Sequence, residues 1–359
     1  MRPLVVTPKP EGQFDIKPLV GQISFVQKDS GEIPGALGDV TDPWDHVEAA
    51  MGLCIGGYYA GAKKAFAWLA QHQLPDGSWF AEYKNGQAVE KRRDANMTAY
   101  IAVGLLHYFM ITNDKEFLSG LWPTVRKAVE FVLSLQAPTG EIYWAIDPQG
   151  RPDRMALLTG SSSIYKSLQC AATIARVLGE PSEAMRRAAE KIAHAVIHEP
   201  HRFNMTKSRY AMDWYYPILA GIITGPPAQR RIDRYWNKFV VEGLGVRCVS
   251  DAPWVTIAET SELVLTLASM GNMDAARIVF GWINDKRFAD GTYWCGYTFP
   301  DSAIWPEEKM TWTNAAVLIA ADAIFELTPA AGIFHHAHRK DGLLSAVVDT
   351  APISTAPEE

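Results

Sequence analysis

Residues 64–79 read KAFAWLAQHQLPDGSW. The first half has the composition of a helix that packs through Trp68 and Leu69, and Pro75, Asp76 and Gly77 then break it. The spacing Lys64-Ala65-x-x-Trp68-Leu69-x-x-x-Gln73-x-x-x-Gly77-x-Trp79 reads as a helix end whose polar side chain ties down the turn. Gly77 then admits a positive φ, and Trp79 packs the loop back onto the helices. The pattern recurs. Lys127-Ala128-x-x-Phe131-Val132-x-x-x-Gln136-x-x-x-Gly140 is a second copy, with Trp144 as its aromatic, displaced by two positions. Trp282-Ile283-x-x-x-Arg287-x-x-x-Gly291, then Trp294, is a third, with Arg where Gln stood, and Gln27-x-x-x-Gly31-x-Ile33 is a fragment of a fourth. Units repeated in this way bury their apolar faces against one another, which is the signature of a repeat architecture.

Outward from these stretches, hydrophobic periodicity predicts about twelve helices in pairs. The first pair is Asp42-Pro43 to Ile55 with Tyr58 to Gln71, and the second is Ala95 to Ile111 with Asp114 to Leu135. Next come Ser161 to Leu178 with Pro181 to His198, Met212 to Thr224 with Ala228 to Val241, and Val255 to Met270 with Met273 to Lys286. Pro306 to Leu327 is followed by a weak segment from Ala330 to Arg339. Links within a pair are short, as at Gly271-Asn272, which makes antiparallel neighbours; links between pairs are long, as from Phe288 to Ile304. The first helix of most pairs is apolar nearly all round, as in Ala315 to Ala321, and the second is amphipathic, as in Ala184 to Lys191. An all-round apolar helix is buried on every side. The expected fold is therefore all-α: an (α/α)6 toroid in which an inner ring is wrapped by an outer one. The toroid is placed at residues 41–340, after an irregular extension, 1–40, with one short strand at Gln22 to Val26, and before a flexible tail, 341–359, rich in Ala, Thr, Ser and Pro.

Composition narrows the function. A chain of 359 residues that is 48% hydrophobic can build a large core, and a net charge of −6 without a basic cluster speaks against a nucleic-acid partner. No secretory leader and no integral membrane segment are expected, so the location is read as cytoplasmic. Cys54, Cys170, Cys248 and Cys295 show no zinc spacing, and His335-His336-x-His338 reads as a polar turn, so neither metal nor cofactor is expected. The motifs G-x-S-x-G, G-x-x-x-x-G-K and G-x-G-x-x-G are absent. A small-molecule substrate is the expected partner.

The inner-helix starts carry the chemistry. They hold Trp44, Asp45, His46 and Glu48; Asp94 and Asn96; Ser161 to Ser163; Asp213, Trp214 and Tyr215; Asp251, Trp254, Glu259 and Glu262; and Trp305, Glu307 and Trp312. Parallel inner helices would bring these starts to one end of the barrel. Asp45/Glu48 and Glu259/Glu262 are three residues apart, hence on one helix face. Asp45, Glu48, Asp94, Asp213, Asp251, Glu259, Glu262 and Glu307 are the candidate catalytic acids, because a carboxyl in an apolar pocket keeps its proton. Trp44, His46, Asn96, Trp214, Tyr215, Trp254, Trp305 and Trp312 are the candidate substrate contacts, because aromatic faces stabilise cations and stack on sugars. Capping explains any single acid near a helix start, but capping does not require the tryptophan that recurs beside them.

The Gln73 to Trp79 stretch is similar to the QW motif of squalene–hopene cyclases, and the ensemble resembles the α/α-toroid superfamily of terpenoid cyclases and protein prenyltransferases, small bacterial prenyltransferase-like proteins in particular. The resemblance implies an enzyme that performs acid-initiated cyclisation, isomerisation or transfer on an isoprenoid-like substrate within aromatic walls. Two other readings fit the same residues. A six-hairpin carbohydrate-active enzyme also needs paired carboxylates with stacking tryptophan, and a non-catalytic ring could bind a ligand.

Overall fold

The computed structural model describes residues 14–336. Its helices are α1 (Lys17–Val26), α2 (Pro43–Ile55), α3 (Tyr59–His72), α4 (Ala95–Ala99), α5 (Ile101–Thr112), α6 (Lys115–Ser134), α7 (Leu158–Leu178), α8 (Glu183–His198), α9 (Ala211–Leu219), α10 (Gly225–Phe239), α11 (Ile257–Ser269), α12 (Met273–Gly281) and α13 (Thr311–Phe325). The inner helices touch in the order α2, α5, α7, α9, α11, α13 and back to α2, which closes the ring. They are buried because they are apolar all round: every residue of α5 from Ile101 to Met110 is buried. The outer helices α3, α6, α8, α10 and α12 each lie against their own inner partner. In α8 only the stripe Met185, Ala188, Ala189, Ile192, Ala195 and Val196 is buried, which is the single apolar face of a surface helix. Ala95–Thr112 is apolar enough by length and composition to cross a membrane, yet 83% of it is buried inside the ring.

The closure corrects one expectation. Residues 17–26 form a helix, so the strand expected at Gln22 to Val26 does not exist. Leu19, Val20, Ile23 and Val26 repeat at helical spacing and are buried where α1 packs on α13 and α2. The stretch set apart as an extension thus supplies the outer helix of the last hairpin. The weak helix expected from Ala330 to Arg339 is a series of turns up to His336; the rest of it, and the tail 341–359, lie outside the described residues. The helix expected from Ala95 to Ile111 is divided at Tyr100.

The repeated Gln…Gly stretches are staples between neighbouring hairpins. The Gln73 amide donates to Gly77 O (2.9 Å) and to Thr124 O of α6 (2.8 Å). Gln136 donates to Gly140 O (3.1 Å) and to Ala188 O of α8 (3.0 Å). Gln27 donates to Gly31 O (3.2 Å) and to Gly61 O of α3 (2.9 Å). Gly77 has φ +92°, and a Cβ there would lie 2.1 Å from Lys127 O, so the next outer helix occupies the place of a side chain. Two positions after each glycine stands a buried residue: Trp79, Ile142, Tyr293 and Ile33. The second and third copies are therefore completed by Ile142 and Tyr293, not by Trp144 and Trp294.

The long loops contain short antiparallel strands that the helical periodicity did not reveal. β1 (Glu82–Lys84) pairs with β2 (Gln87–Glu90); β3 (Arg93–Asp94), β4 (Tyr143–Ile146) and β5 (Pro152–Ala156) form a second sheet; β6 (Val240–Val241), β7 (Gly245–Arg247), β8 (Trp254–Thr256) and β9 (Gly296–Thr298) form a third. β3 runs directly into α4 and β8 into α11, so the latter two sheets frame the end of the ring where the inner helices begin.

Candidate active site

The inner-helix starts do meet. On α2, Asp42 is the N-cap: its Oδ1 accepts from the backbone N–H of Trp44 (2.8 Å) and of Asp45 (3.0 Å). This fixes the first turn and leaves Asp45 and Glu48 on the face toward the ring axis. Glu48 Oε1 accepts from Trp44 Nε1 (2.7 Å) and from Tyr100 OH (3.2 Å). Trp44 in turn packs on Tyr100 (ring centroids 5.2 Å) and edge-on to Tyr216 of α9 (5.9 Å), so it spans the mouth. From α11, Glu262 accepts from Tyr216 OH at Oε1 (3.0 Å) and from Tyr215 OH at Oε2. One turn earlier Glu259 accepts from Thr256 Oγ1.

Asp45, Glu48 and Glu262 are half-buried at the mouth, and Glu259 is buried. Burial pushes Glu48 up to about 7, against the donors Trp44 and Tyr100. Asp45 is held well above the usual carboxylate range by burial, then by the charges of Asp42, Glu48 and Glu262. Glu262 is raised by burial and by Glu48 and Glu259, while its two tyrosine donors oppose the rise. Acids so close and so poorly solvated cannot all ionise, and protons stay in the cluster at neutral pH. Asp42 and Asp45 sit side by side and burial raises both, so this pair keeps a proton.

A cavity of about 310 Å³ opens beside Trp44, between the starts of α4, α7 and α9. Asp94, Asn96, Trp144, Tyr210 and Asp213 line it. Asp94 also caps α4, accepting from Asn96 N (2.8 Å) and Met97 N (3.0 Å), and burial raises it to about 6. Asp213 accepts from Thr159 Oγ1 (2.6 Å) and Thr159 N (3.2 Å), and burial raises it as well. Arg92 lies over the Trp144 ring at 4.9 Å.

Other candidates lie elsewhere. His46 is a core residue: its Nδ1 accepts from Ile33 N–H (3.1 Å), its Nε2–H donates to Ala65 O (2.9 Å), and burial lowers it to about 4. Trp214 faces outward, donating to Arg231 O (3.0 Å) and stacking on Phe239 of α10 (5.3 Å). The expectation that these two touch substrate is thereby corrected, because helix position alone did not say which face each side chain takes. Asp251 is exposed and paired with Arg209 (2.9 Å), and Glu307 is exposed. Trp254 and Trp305 form an edge-on pair (5.4 Å) at the rim, with Trp254 Nε1 donating to Trp305 O (3.1 Å). Trp312 is half-buried in the first turn of α13. Tyr216 follows Tyr215 directly at the fourth inner-helix start and joins the site beside it. Tyr100, Trp144 and Tyr210 stand outside the helix starts that periodicity marks, which is why no sequence signal singles them out for the site.

No family model matches the chain. It is 45% identical over 321 residues, 89% of each chain, to the MMP endo-(1,4)-3-O-methyl-α-D-mannosidase of Mycolicibacterium hassiacum. Among solved structures it is similar to a glycosidase variant in complex with glucose (TM-score 0.68, 15% identity, 89% of this chain and 100% of that one). It is also similar to the GH63 mannosylglycerate hydrolase from Thermus thermophilus in complex with glucose (TM-score 0.68, 11% identity, 84% and 98%). At those identities the structures establish the fold alone. The mannosidase relative overturns the resemblance to terpenoid cyclases and prenyltransferases, and with it the reading as an acid-initiated enzyme of isoprenoids. The motif that carried that resemblance is a staple between hairpins, which constrains the ring and not its chemistry.

Proposed function

The chain belongs to the family of the mycobacterial MMP endo-(1,4)-3-O-methyl-α-D-mannosidase and is an enzyme, and from that premise we propose that it hydrolyses internal α-(1→4) bonds in chains of 3-O-methylated mannose. The observation that carries the reading is the cluster of Asp45, Glu48 and Glu262 beneath Trp44, Tyr100 and Tyr216 at the mouth of the ring.

Glycoside hydrolysis needs one carboxylic acid and one carboxylate about an oxocarbenium-like transition state. Asp45 is the acid, since three neighbouring carboxyls and burial keep its proton on. It protonates the glycosidic oxygen as the bond from C1 breaks. Glu262 is the carboxylate in this reading: burial, Glu48 and Glu259 raise it, but the Tyr215 and Tyr216 hydroxyls donate to its two oxygens and favour the anion, so it ionises once its neighbours hold the cluster's protons. It takes the proton of the water that attacks C1. Asp45 and Glu262 stand on α2 and α11, with α13 between these helices in the ring. Glu48, anchored by Trp44 and Tyr100, adds to burial and to Asp42 in keeping Asp45 protonated.

The test is incubation with α-(1→4)-linked 3-O-methylmannan, following reducing ends and fragment length. Release of mid-length fragments whose first-formed anomer is β by proton NMR is expected. Failure to cleave any α-mannoside would end the reading, and an α-anomer would overturn the role of Glu262 as base.

A further inference from the structure

The cavity beside Trp44 has walls that suit a free hexose poorly. Met97 follows the capping Asp94 in the first turn of α4, and Met212 holds a first-turn place in α9; both stand half-open to the cavity. Ile142, Leu157 and Ile164 complete an apolar floor. Every hydroxyl pressed against such a floor would lose its water without a replacement partner. A methyl ether has no such cost: its methyl is apolar, and its oxygen only accepts.

The polar groups of the same cavity match that inventory. Trp144 Nε1, a donor that cannot accept, is buried without a partner among the described residues. Asn96 Oδ1 and Ser161 Oγ are likewise unpartnered, in residues that are 7% and 1% exposed. Asp94 and Asp213 use Oδ1 for Asn96, Met97 and Thr159, and keep Oδ2 for further donors. These three orphaned polar atoms belong to residues that line one apolar-floored cavity.

We propose that this cavity is the subsite that selects an O-methylated sugar. Met97 and Met212 take the methyl group in contact with soft, adaptable thioethers. The Trp144 indole N–H donates to the ether oxygen, and the Asp94, Asn96 and Asp213 acceptors receive the hydroxyls that remain. This deepens the hydrolytic reading and rests on it for the position of the scissile bond.

The test is calorimetry on the full chain with methyl 3-O-methyl-α-D-mannopyranoside against methyl α-D-mannopyranoside. The methylated glycoside is expected to bind about tenfold or more tightly, the usual worth of one methyl in a fitted pocket. In the combined Met97→Ser and Met212→Ser variant that ratio falls to about threefold or less. Trp144→Phe, which keeps an aromatic ring and removes the N–H, weakens the methylated ligand by about threefold or more. Equal affinities, no binding of either glycoside, or a preference that survives in the double variant overturns the assignment. If the preference is found but the methylated polymer is not cleaved, the subsite stands and the hydrolytic reading falls.

Discussion

Asp45 is a poor carboxylate and therefore a good acid. Its position is legible in the sequence, two residues after a proline and three before Glu48, but its chemistry depends first on burial in the ring and then on Asp42, Glu48 and, over two hundred positions along the chain, Glu262. Asp45→Asn and Glu262→Gln are each expected to lower kcat by about a thousandfold or more while the thermal unfolding transition is kept; activity within tenfold of wild type in either would remove that residue from the mechanism. Glu48 makes a separate prediction about stability. Its pKa rises from an ordinary 4.5 to about 7 on folding, so between those values the folded chain binds more protons than the unfolded one. Its contribution to stability is complete below 4.5 and is lost as pH rises through 7. Replacing it by Gln removes that loss, so the Tm of wild type relative to Glu48→Gln should fall between pH 5 and pH 8. A difference that does not change with pH would contradict the buried state described for Glu48.

At the scale of elements, the staples and the rim separate structure from function. Gly77→Ala puts a side chain into a left-handed turn against Lys127 O, which should cost about 2–4 kcal/mol from strain and displacement together, read as a shift in the urea midpoint. Gln73→Leu leaves Gly77 O and Thr124 O without their donor and should cost about 1–3 kcal/mol. Neither site touches the acids, so both variants should keep kcat per folded molecule. Trp305 is the opposite case. It is 63% exposed and packed edge-on by Trp254. Trp305→Ala is expected to leave Tm within about 2 °C, because surface changes seldom exceed ~0.5 kcal/mol. It should raise KM for long substrates more than for short ones, if the exposed indole stacks on a distal sugar. An equal effect on both lengths would place Trp305 outside the binding path.

At the scale of the molecule, closure is the property that assembles the site. The acids stand on α2 and α11, with α13 between these helices and α1 packed on the seam of α13 and α2. Leu19 and Ile23 are fully buried in that seam. Leu19→Ala and Ile23→Ala should each destabilise by about 2–4 kcal/mol, and the pair should broaden the unfolding transition as the seam opens before the rest. Retained cooperativity in the double variant would argue that the ring closes without α1.

Local pattern by itself determined most of the architecture. Helical periodicity, short links within pairs and long links between them specify an (α/α)6 ring, and the repeated Gln and Gly positions specify how hairpins join, because these signals act within a few residues of their cause. The helix that periodicity did not find, α1, is short, and its apolar stripe acquires meaning only against α13 and α2. The site was legible as a list of helix starts and no further. Asp45 and Glu262 share a cluster, His46 and Trp214 do not, and Tyr100 and Tyr216 join it, because the facing of a side chain is set by the packing of its helix in the ring. Sequence patterning also carried a misleading resemblance, since the motif that staples hairpins says nothing of the mouth. Which carboxyl keeps its proton was decided only by the tertiary structure, which brings like charges together where water cannot separate them.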